Sequence, residues 1–147
     1  MIRMTGPRRF VIAVIDDDYR VLQSLEELLA SGSYGVCLFS SAVEFLNTNA
    51  AGKVDCLISD IAMPAMTGWQ LLQTAETEFP DLPVILITGQ DERPAPDLCN
   101  LSGLRYLFRK PFSGRELLAA LDVILPSGSH CFESLRMSFG EFVTPGE

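Results

Sequence analysis

The chain is short of the residues that usually announce a metal cage or a cofactor grip. It has a single histidine, His130, and its four cysteines, Cys37, Cys56, Cys99 and Cys131, stand far apart with no Cys-x-x-Cys pair and no histidine at ligand spacing. That excludes a zinc knuckle and a disulfide framework. The cysteines read as small buried apolar residues, and thiols used in this way belong to a reducing compartment, so the cytoplasm is the expected location. Positive charge is scarce too: eleven Lys and Arg against nineteen Asp and Glu leave a net charge of −8. Nucleic-acid phosphates and anionic lipid repel such a chain unless its basic residues cluster. Neither direct nucleic-acid binding nor a membrane partner is expected. Long apolar runs are missing as well. The stretch from Phe10 to Ile15 is too short for a signal segment or a membrane span, and acids follow it at once.

What the chain does have is enough apolar material for one full core. With 147 residues, 48% of them apolar, it fits a single domain, which at this length buries roughly 68–70% of its unfolded surface without staples. Phe10 to Ile15 is a continuous, β-branched apolar run, as expected of a strand covered on both faces. Val21, Leu22, Leu25, Leu28 and Leu29 then recur at helical spacing behind Asp18, a plausible N-cap, with Gly32 and Gly35 as stop signals. Gly35 to Phe39 reads as a second strand, and Ser41-Ala42-Val43-Glu44 has capping-box spacing ahead of Phe45 and Leu46.

The alternation continues. Asp55 to Asp60 is a third strand, and Met63 to Gly68 a loop broken by Pro64 and Gly68. A helix runs from Trp69 through Leu72 and Ala75 to Phe79, where Pro80 stops it, and Pro83 to Thr88 is a fourth strand. Pro94 and Pro96 permit only a short helix between Gly89 and Gly103, starting near Asp97. Leu104 to Phe108 is a fifth strand, and Ser113-Gly114-Arg115-Glu116 is a second capping box before Leu117, Leu121 and Ile124. Five strands alternating with five helical segments predict an α/β, doubly wound fold with a parallel sheet. In such sheets ligands bind beyond the C-terminal strand ends.

Those ends carry Asp16-Asp17-Asp18, Asp60, Thr88 and Lys110-Pro111. Carboxylates gathered together raise one another's pKa unless a cation sits among them, and hard oxygen donors suit Mg²⁺. Lys110, one of two lysines in the chain, is a flexible point charge able to reach a phosphate oxygen, and Thr88 adds a hydroxyl. Taken singly, each feature has a plainer reading. Three aspartates also make a solvated turn with a helix cap, Thr88 an ordinary strand end, and Lys110 a surface charge. Trp69 and the leucine stripes read as packing, and His130 as a tail residue.

Ile15-Asp16-Asp17, Asp60 with Met63-Pro64 and Gly68, Ile87-Thr88-Gly89 and Lys110-Pro111-Phe112 occur in this order, and on them the chain resembles the receiver domain of two-component response regulators. The resemblance covers Phe10 to Leu125. Phe39 to Leu46 and Asp55 to Asp60 look most like receivers of the FixJ type. It implies a flavodoxin-like five-stranded sheet of order 2-1-3-4-5. Asp60 would be the phosphoacceptor, served by a sensor histidine kinase or phosphotransfer protein. Mg²⁺ would be held by Asp17, Asp60 and the backbone carbonyl of Ala62, with Asp16 acting mainly through water. Thr88 and Lys110 would complete the catalytic set, and the Lys110-Pro111 bond would be cis. The chain also departs from the family. Leu107, between Tyr106 and Phe108, stands where a switch aromatic is common, and Ala62 and Gln90 occupy positions that govern water access, which predicts slow self-dephosphorylation. The resemblance leaves residues 1–9 as an extension and 126–147 as a tail without an output domain. That tail is apolar at Phe132, Leu135, Met137, Phe139 and Phe142, which suits packing back on the domain or contact with a downstream protein partner, and the resemblance also implies a homodimer paired through the fourth and fifth helices and the fifth strand.

Three rival readings are weighed against this one. A phosphatase of the haloacid dehalogenase type fits Asp16-x-Asp18 but not Tyr19-Arg20. A flavodoxin-like electron carrier would lack its phosphate loop. A receiver fold kept as a phosphorylation-independent interaction module remains compatible with the residues.

Overall fold

A computed structural model describes residues 10–89 and 103–125. Along the chain lie β1 (Val11–Ile15), α1 (Tyr19–Ser31), β2 (Gly35–Phe39), α2 (Ala42–Asn47), a 3-10 turn (Ala50–Lys53) and β3 (Cys56–Asp60). After these come α3 (Gly68–Glu78), β4 (Val84–Thr88), β5 (Leu104–Arg109) and α4 (Gly114–Ile124). The strands form one sheet in the order β2-β1-β3-β4-β5, parallel at every pairing. The expected strands are all present, several of them beginning one residue later than their apolar runs. The short helix expected near Asp97 lies outside the described residues, as do Gln90, Cys99, His130 and the tail.

Period-two alternation along the central strands divides the interior into two cores. Ala13, Ile15, Leu57, Leu86 and Leu107 face α2 and α3, where they meet Phe45, Trp69, Leu71 and Leu72. Ile12, Val14, Ile58, Ile85, Tyr106 and Phe108 face α1 and α4 with Leu25, Leu29, Leu117 and Leu121. Every residue of β1, β3 and β4 is buried, whereas β2 is half-buried throughout and Arg105 and Arg109 of β5 are exposed. Helices on both faces therefore require continuous apolar strands in the middle and permit mixed ones at the edges. No helix among the described residues is long and apolar enough to cross a membrane.

The helix ends show where local chemistry overrode the simplest expectations. Asp18 caps α1, accepting from the Arg20 amide at 2.9 Å. At its other end the left-handed residue is Ser33 (φ 71) and not Gly32, and the Tyr34 and Ser33 amides donate to the Leu29 and Ala30 carbonyls. This is a Schellman closure with serine in the seat glycine normally takes. Gly32 serves packing instead, because a Cβ there would lie 3.0 Å from the Leu118 side chain. The capping box expected at Ser41 is only half made. Ser41 accepts from the Glu44 amide, but Glu44 reaches past it to the amide and hydroxyl of Ser40. The box at Ser113 and Glu116 is complete, and a further one, Thr67 with Gln70, opens α3 one residue before Gly68. Gly68 thus begins a helix and does not end a loop.

Of the cysteines, Cys37 is half-buried and Cys56 fully buried. Burial pushes the Cys56 thiol up to about 12 from 9.0. The thiolate is the reactive form, so Cys56 should resist iodoacetamide in the native protein and become alkylated only under unfolding conditions, as peptide mapping would show. The linkage has a sign. The unfolded thiol ionises near pH 9 while the folded one stays protonated until about 12, so stability falls as pH rises through that window. A Cys56→Ala variant should lose this alkaline slope.

Candidate functional site

Four strand ends converge on one edge of the sheet. Asp16 and Asp17 follow β1, Asp60 closes β3, Thr88 closes β4 and Lys110 follows β5. The parallel register makes the alignment, pairing Asp60 with Ile87 and Thr88 with Arg109. Backbone bonds carry it past the strands: the Ile61 amide donates to Ile87 O and the Lys110 amide to Thr88 O, each at 2.9 Å. Asp16, Asp60 and Thr88 are buried, Asp17 is exposed, and one carboxylate oxygen from each of the three aspartates lies within 4.8 Å of the others. Lys110 Nζ stands 3.7 Å from Asp60 Oδ1.

The third aspartate of the run does not join them. Asp18 turns to its helix cap and to the exposed Arg20, 3.5 Å away. The Arg20 amide above all holds the Asp18 carboxyl below its ordinary value. Asp16 goes the other way. Burial raises it above 3.8, while the hydrogen bond from the Asp18 amide, at 2.8 Å, and the charge of Lys110 pull it back. A buried carboxylate kept near two others is costly, and a divalent cation removes that cost. The donor set is entirely hard oxygen, which fits Mg²⁺ or a similar ion and not a soft-metal site.

Support comes from the chain just beyond Asp60. The Gly68 amide donates to Ile61 O at 2.9 Å, and a Cβ on Gly68 would stand 2.6 Å from the Asp60 carbonyl oxygen. Ala65 is left-handed (φ 70) within a tight turn in which the Met66 amide donates to Pro64 O at 2.8 Å. The loop thereby folds back so that α3 starts against the base of Asp60. Ala62 has an exposed side chain. Thr88 Oγ1 donates to the Gly89 carbonyl at 3.1 Å. The Lys110-Pro111 peptide is cis. Beyond it a groove of about 530 Å³, lined by Val21, Leu25, Ile87, Pro111 and Phe112 among others, shares Lys110 with the acidic edge.

Asp16, Asp17, Asp60, Thr88 and Lys110 all stand at this edge, while Asp18 turns away from it and Gln90 lies outside the described residues. Leu107 is buried against the α2/α3 core, while Tyr106 and Phe108 point to the opposite one. There Tyr106 stacks on Phe108 at 5.9 Å and Phe108 packs on Phe112 at 5.4 Å. Sequence reasoning missed the service of Gly68 to Asp60. Its signal was the Thr67-x-x-Gln70 spacing, which makes Gly68 a helical residue.

The family model of the response regulator receiver domain matches residues 12–122. The response regulator TodT of Pseudomonas putida is 35% identical over 124 residues, covering 84% of this chain and 55% of TodT. The transcriptional regulatory protein FixJ of Bradyrhizobium diazoefficiens is 34% identical over 112 residues, 76% of this chain and 54% of FixJ. The chain thus spans about half the length of these relatives. Among solved structures, a receiver domain protein from Clostridium thermocellum superposes with a TM-score of 0.73 at 29% identity, over 79% of this chain and 94% of that one. The structure titled FixJ-N gives 0.69 at 26% identity, over 84% and 98%. With its sheet order, its acidic edge and this match across most of its length, the chain belongs to the receiver domains of two-component response regulators.

Proposed function

We propose that this receiver accepts a phosphoryl group on Asp60 from the phosphohistidine of a sensor histidine kinase or phosphotransfer protein. The observation that carries the reading is the placement of Asp60 Oδ1 3.7 Å from Lys110 Nζ with the carboxylates of Asp16 and Asp17 beside it. An Asp60 oxygen attacks phosphorus, the P–N bond breaks, and its electron pair returns to the imidazole nitrogen, leaving an acyl phosphate. Such transfer asks the protein mainly for position and charge neutralisation. Lys110 offers a cation to one phosphoryl oxygen, and Thr88, rotating away from Gly89, offers a hydroxyl to another. Asp17, Asp60 and the Ala62 carbonyl are the groups that would hold Mg²⁺, with Asp16 behind them. When bound, the ion supplies positive charge against the phosphoryl oxygens and the crowded carboxylates.

The unit we assign to this chemistry spans residues 10–125, with 126–147 as a tail available to pack back on it or to contact a downstream partner, and a homodimer of the domain as a further partner. Its own catalysis is confined to gaining and losing the group on Asp60, and its setting is the cytoplasm, without direct contact to nucleic acid or membrane. Intact mass after incubation with acetyl phosphate tests the reading. One phosphoryl adduct is expected, requiring Mg²⁺ and absent from Asp60→Asn. A folded protein that gains none, from acetyl phosphate or from phosphoramidate, would instead be a phosphorylation-independent interaction module.

The adduct should be long-lived. Ala62 has no polar group with which to orient water toward phosphorus, so the phosphoryl group is expected to persist well beyond seconds in the isolated protein. Ala62→Asn restores one hydrogen bond to the attacking water and should shorten the lifetime by up to about tenfold, followed by mass spectrometry after removal of the donor.

A further inference from the structure

β3 ends in an oddity. Its residues alternate between the two cores, Cys56 and Ile58 facing α1 and α4 and Leu57 facing α2 and α3. Ser59, next in line, has no exposed surface at all. It pairs with Ile15 of β1 and Leu86 of β4, both apolar. A hydroxyl among such neighbours costs free energy unless it is hydrogen-bonded, and an aliphatic side chain would carry no such cost. The Ser59 hydroxyl is used locally: Oγ donates to the backbone carbonyl of Asp60 at 2.9 Å.

That carbonyl stands one residue beyond the last pairing of β3 with β1, Ile15 with Ser59. The Ser59 hydroxyl grips it from one direction, and the bare Cα of Gly68 packs on it from another, where a Cβ would come to 2.6 Å. On the far side of the same peptide, the Ile61 amide is tied to Ile87 O at 2.9 Å. These contacts fix the plane of the Asp60–Ile61 peptide, and with it the direction in which the Asp60 side chain leaves the backbone. We propose that Ser59 is a positioning residue for phosphoryl transfer, its hydroxyl locking the Asp60 carbonyl so that the carboxylate is held toward Lys110 and the Asp16–Asp17 pair. The inference rests on Asp60 being the phosphoacceptor. It adds a residue that touches neither metal nor phosphoryl group and acts through the main chain. Small displacements of a reacting group lower rates steeply, so one lost backbone tether should register in transfer as well as in stability.

The test compares Ser59→Ala, Ser59→Thr and Leu57→Val in the full chain. Three quantities are read: the rate of phosphoryl uptake from acetyl phosphate per folded molecule, the Mg²⁺ dissociation constant by calorimetry, and the urea midpoint. Ser59→Ala should slow uptake and weaken Mg²⁺ binding by about two- to tenfold each, the worth of one hydrogen bond. Ser59→Thr, which keeps the hydroxyl, should recover both. Leu57→Val, a trim of the same strand face without a polar group, should lower the urea midpoint and leave both unchanged. The proposal is overturned if Ser59→Ala matches the wild type in rate and Mg²⁺ affinity, or if Leu57→Val, at a comparable drop in urea midpoint, loses as much of both as Ser59→Ala does. Should Ser59→Ala fail to fold, Ser59→Cys, similar in size and a weaker donor, answers the same question. A wild-type protein that takes no phosphoryl group would refute the role of Asp60, while the Mg²⁺ titrations would still decide for or against Ser59.

Discussion

Gly68→Ala should destabilise the domain by about 1–3 kcal/mol, a large effect for adding one methyl group. The new Cβ would sit 2.6 Å from the Asp60 carbonyl oxygen and 2.9 Å from Ile61 Cα. Both are backbone atoms of a strand end and cannot swing aside as a side chain would. Relief requires α3 to move off β3, which stretches the 2.9 Å bond from the Gly68 amide to Ile61 O. Overpacking of this kind costs about 1–3 kcal/mol and the lost bond about 1, against which alanine returns somewhat under 1 through helix propensity. In a domain of this size the melting temperature should fall by about 4–12 °C. An unchanged melting curve would mean that the close approach does not constrain the loop. Phosphoryl uptake should suffer as well, since the displaced atoms belong to Asp60.

The second large effect falls on chemistry. Lys110→Met should lower the rate of phosphoryl uptake by about 10² to 10³, the usual cost of deleting a group aimed at developing negative charge. It should also reveal the electrostatics of the resting site. Asp16 is held above its ordinary value by burial, and the charge of Lys110 works against that rise. Without the lysine, Asp16 moves further up. A carboxyl whose folded pKa exceeds its unfolded value of 3.8 loses its proton in the unfolded chain first, so stability declines as pH rises through the interval between them. Urea midpoints compared at about pH 4 and about pH 7 should therefore drop more in Lys110→Met than in the wild type when no divalent ion is added. Mg²⁺ should restore more of the loss in the variant, because it supplies the charge that was removed. Equal pH dependence in the two proteins would refute this account.

The readable parts of the molecule and the unreadable parts divide along physical lines. β1, β3 and β4 announce themselves because strands covered on both faces are built on continuous apolar runs, as Val11 to Ile15, Cys56 to Ile58 and Val84 to Ile87 are. The site residues are legible for a related reason: a polar residue ending such a run has to lie at the sheet edge, and four runs ending together define one place. Glycine and serine are harder to read, since one letter covers several uses. Gly68 looks like a breaker until the Thr67–Gln70 box is noticed, and Gly32 looks like a left-handed stop although Ser33 takes that conformation. Ser59 is an unremarked small residue until its bond to the Asp60 carbonyl is seen. Glu44 has the spacing of a capping partner, yet its carboxylate accepts from the Ser40 amide and hydroxyl. The opposite orientations of Leu107 and Phe108 follow from strand alternation alone, but which face each takes depends on the irregular register between Val84 and Ile85.

β5 has one neighbour, β4, whereas β1 and β3 lie inside the sheet with partners on both sides. The three carboxylates are thus anchored on interior strands, and the cation that balances them follows an outermost one. Edge strands open at lower free energy than central ones. When β5 detaches, Lys110 leaves with it and Asp16, Asp17 and Asp60 remain together. The first event of unfolding at this edge deepens the negative local field before it disturbs the nucleophile. An opened receiver would be more negative at this edge while its central strands are still in place, a state that repels phosphoryl donors more strongly and draws in divalent ions.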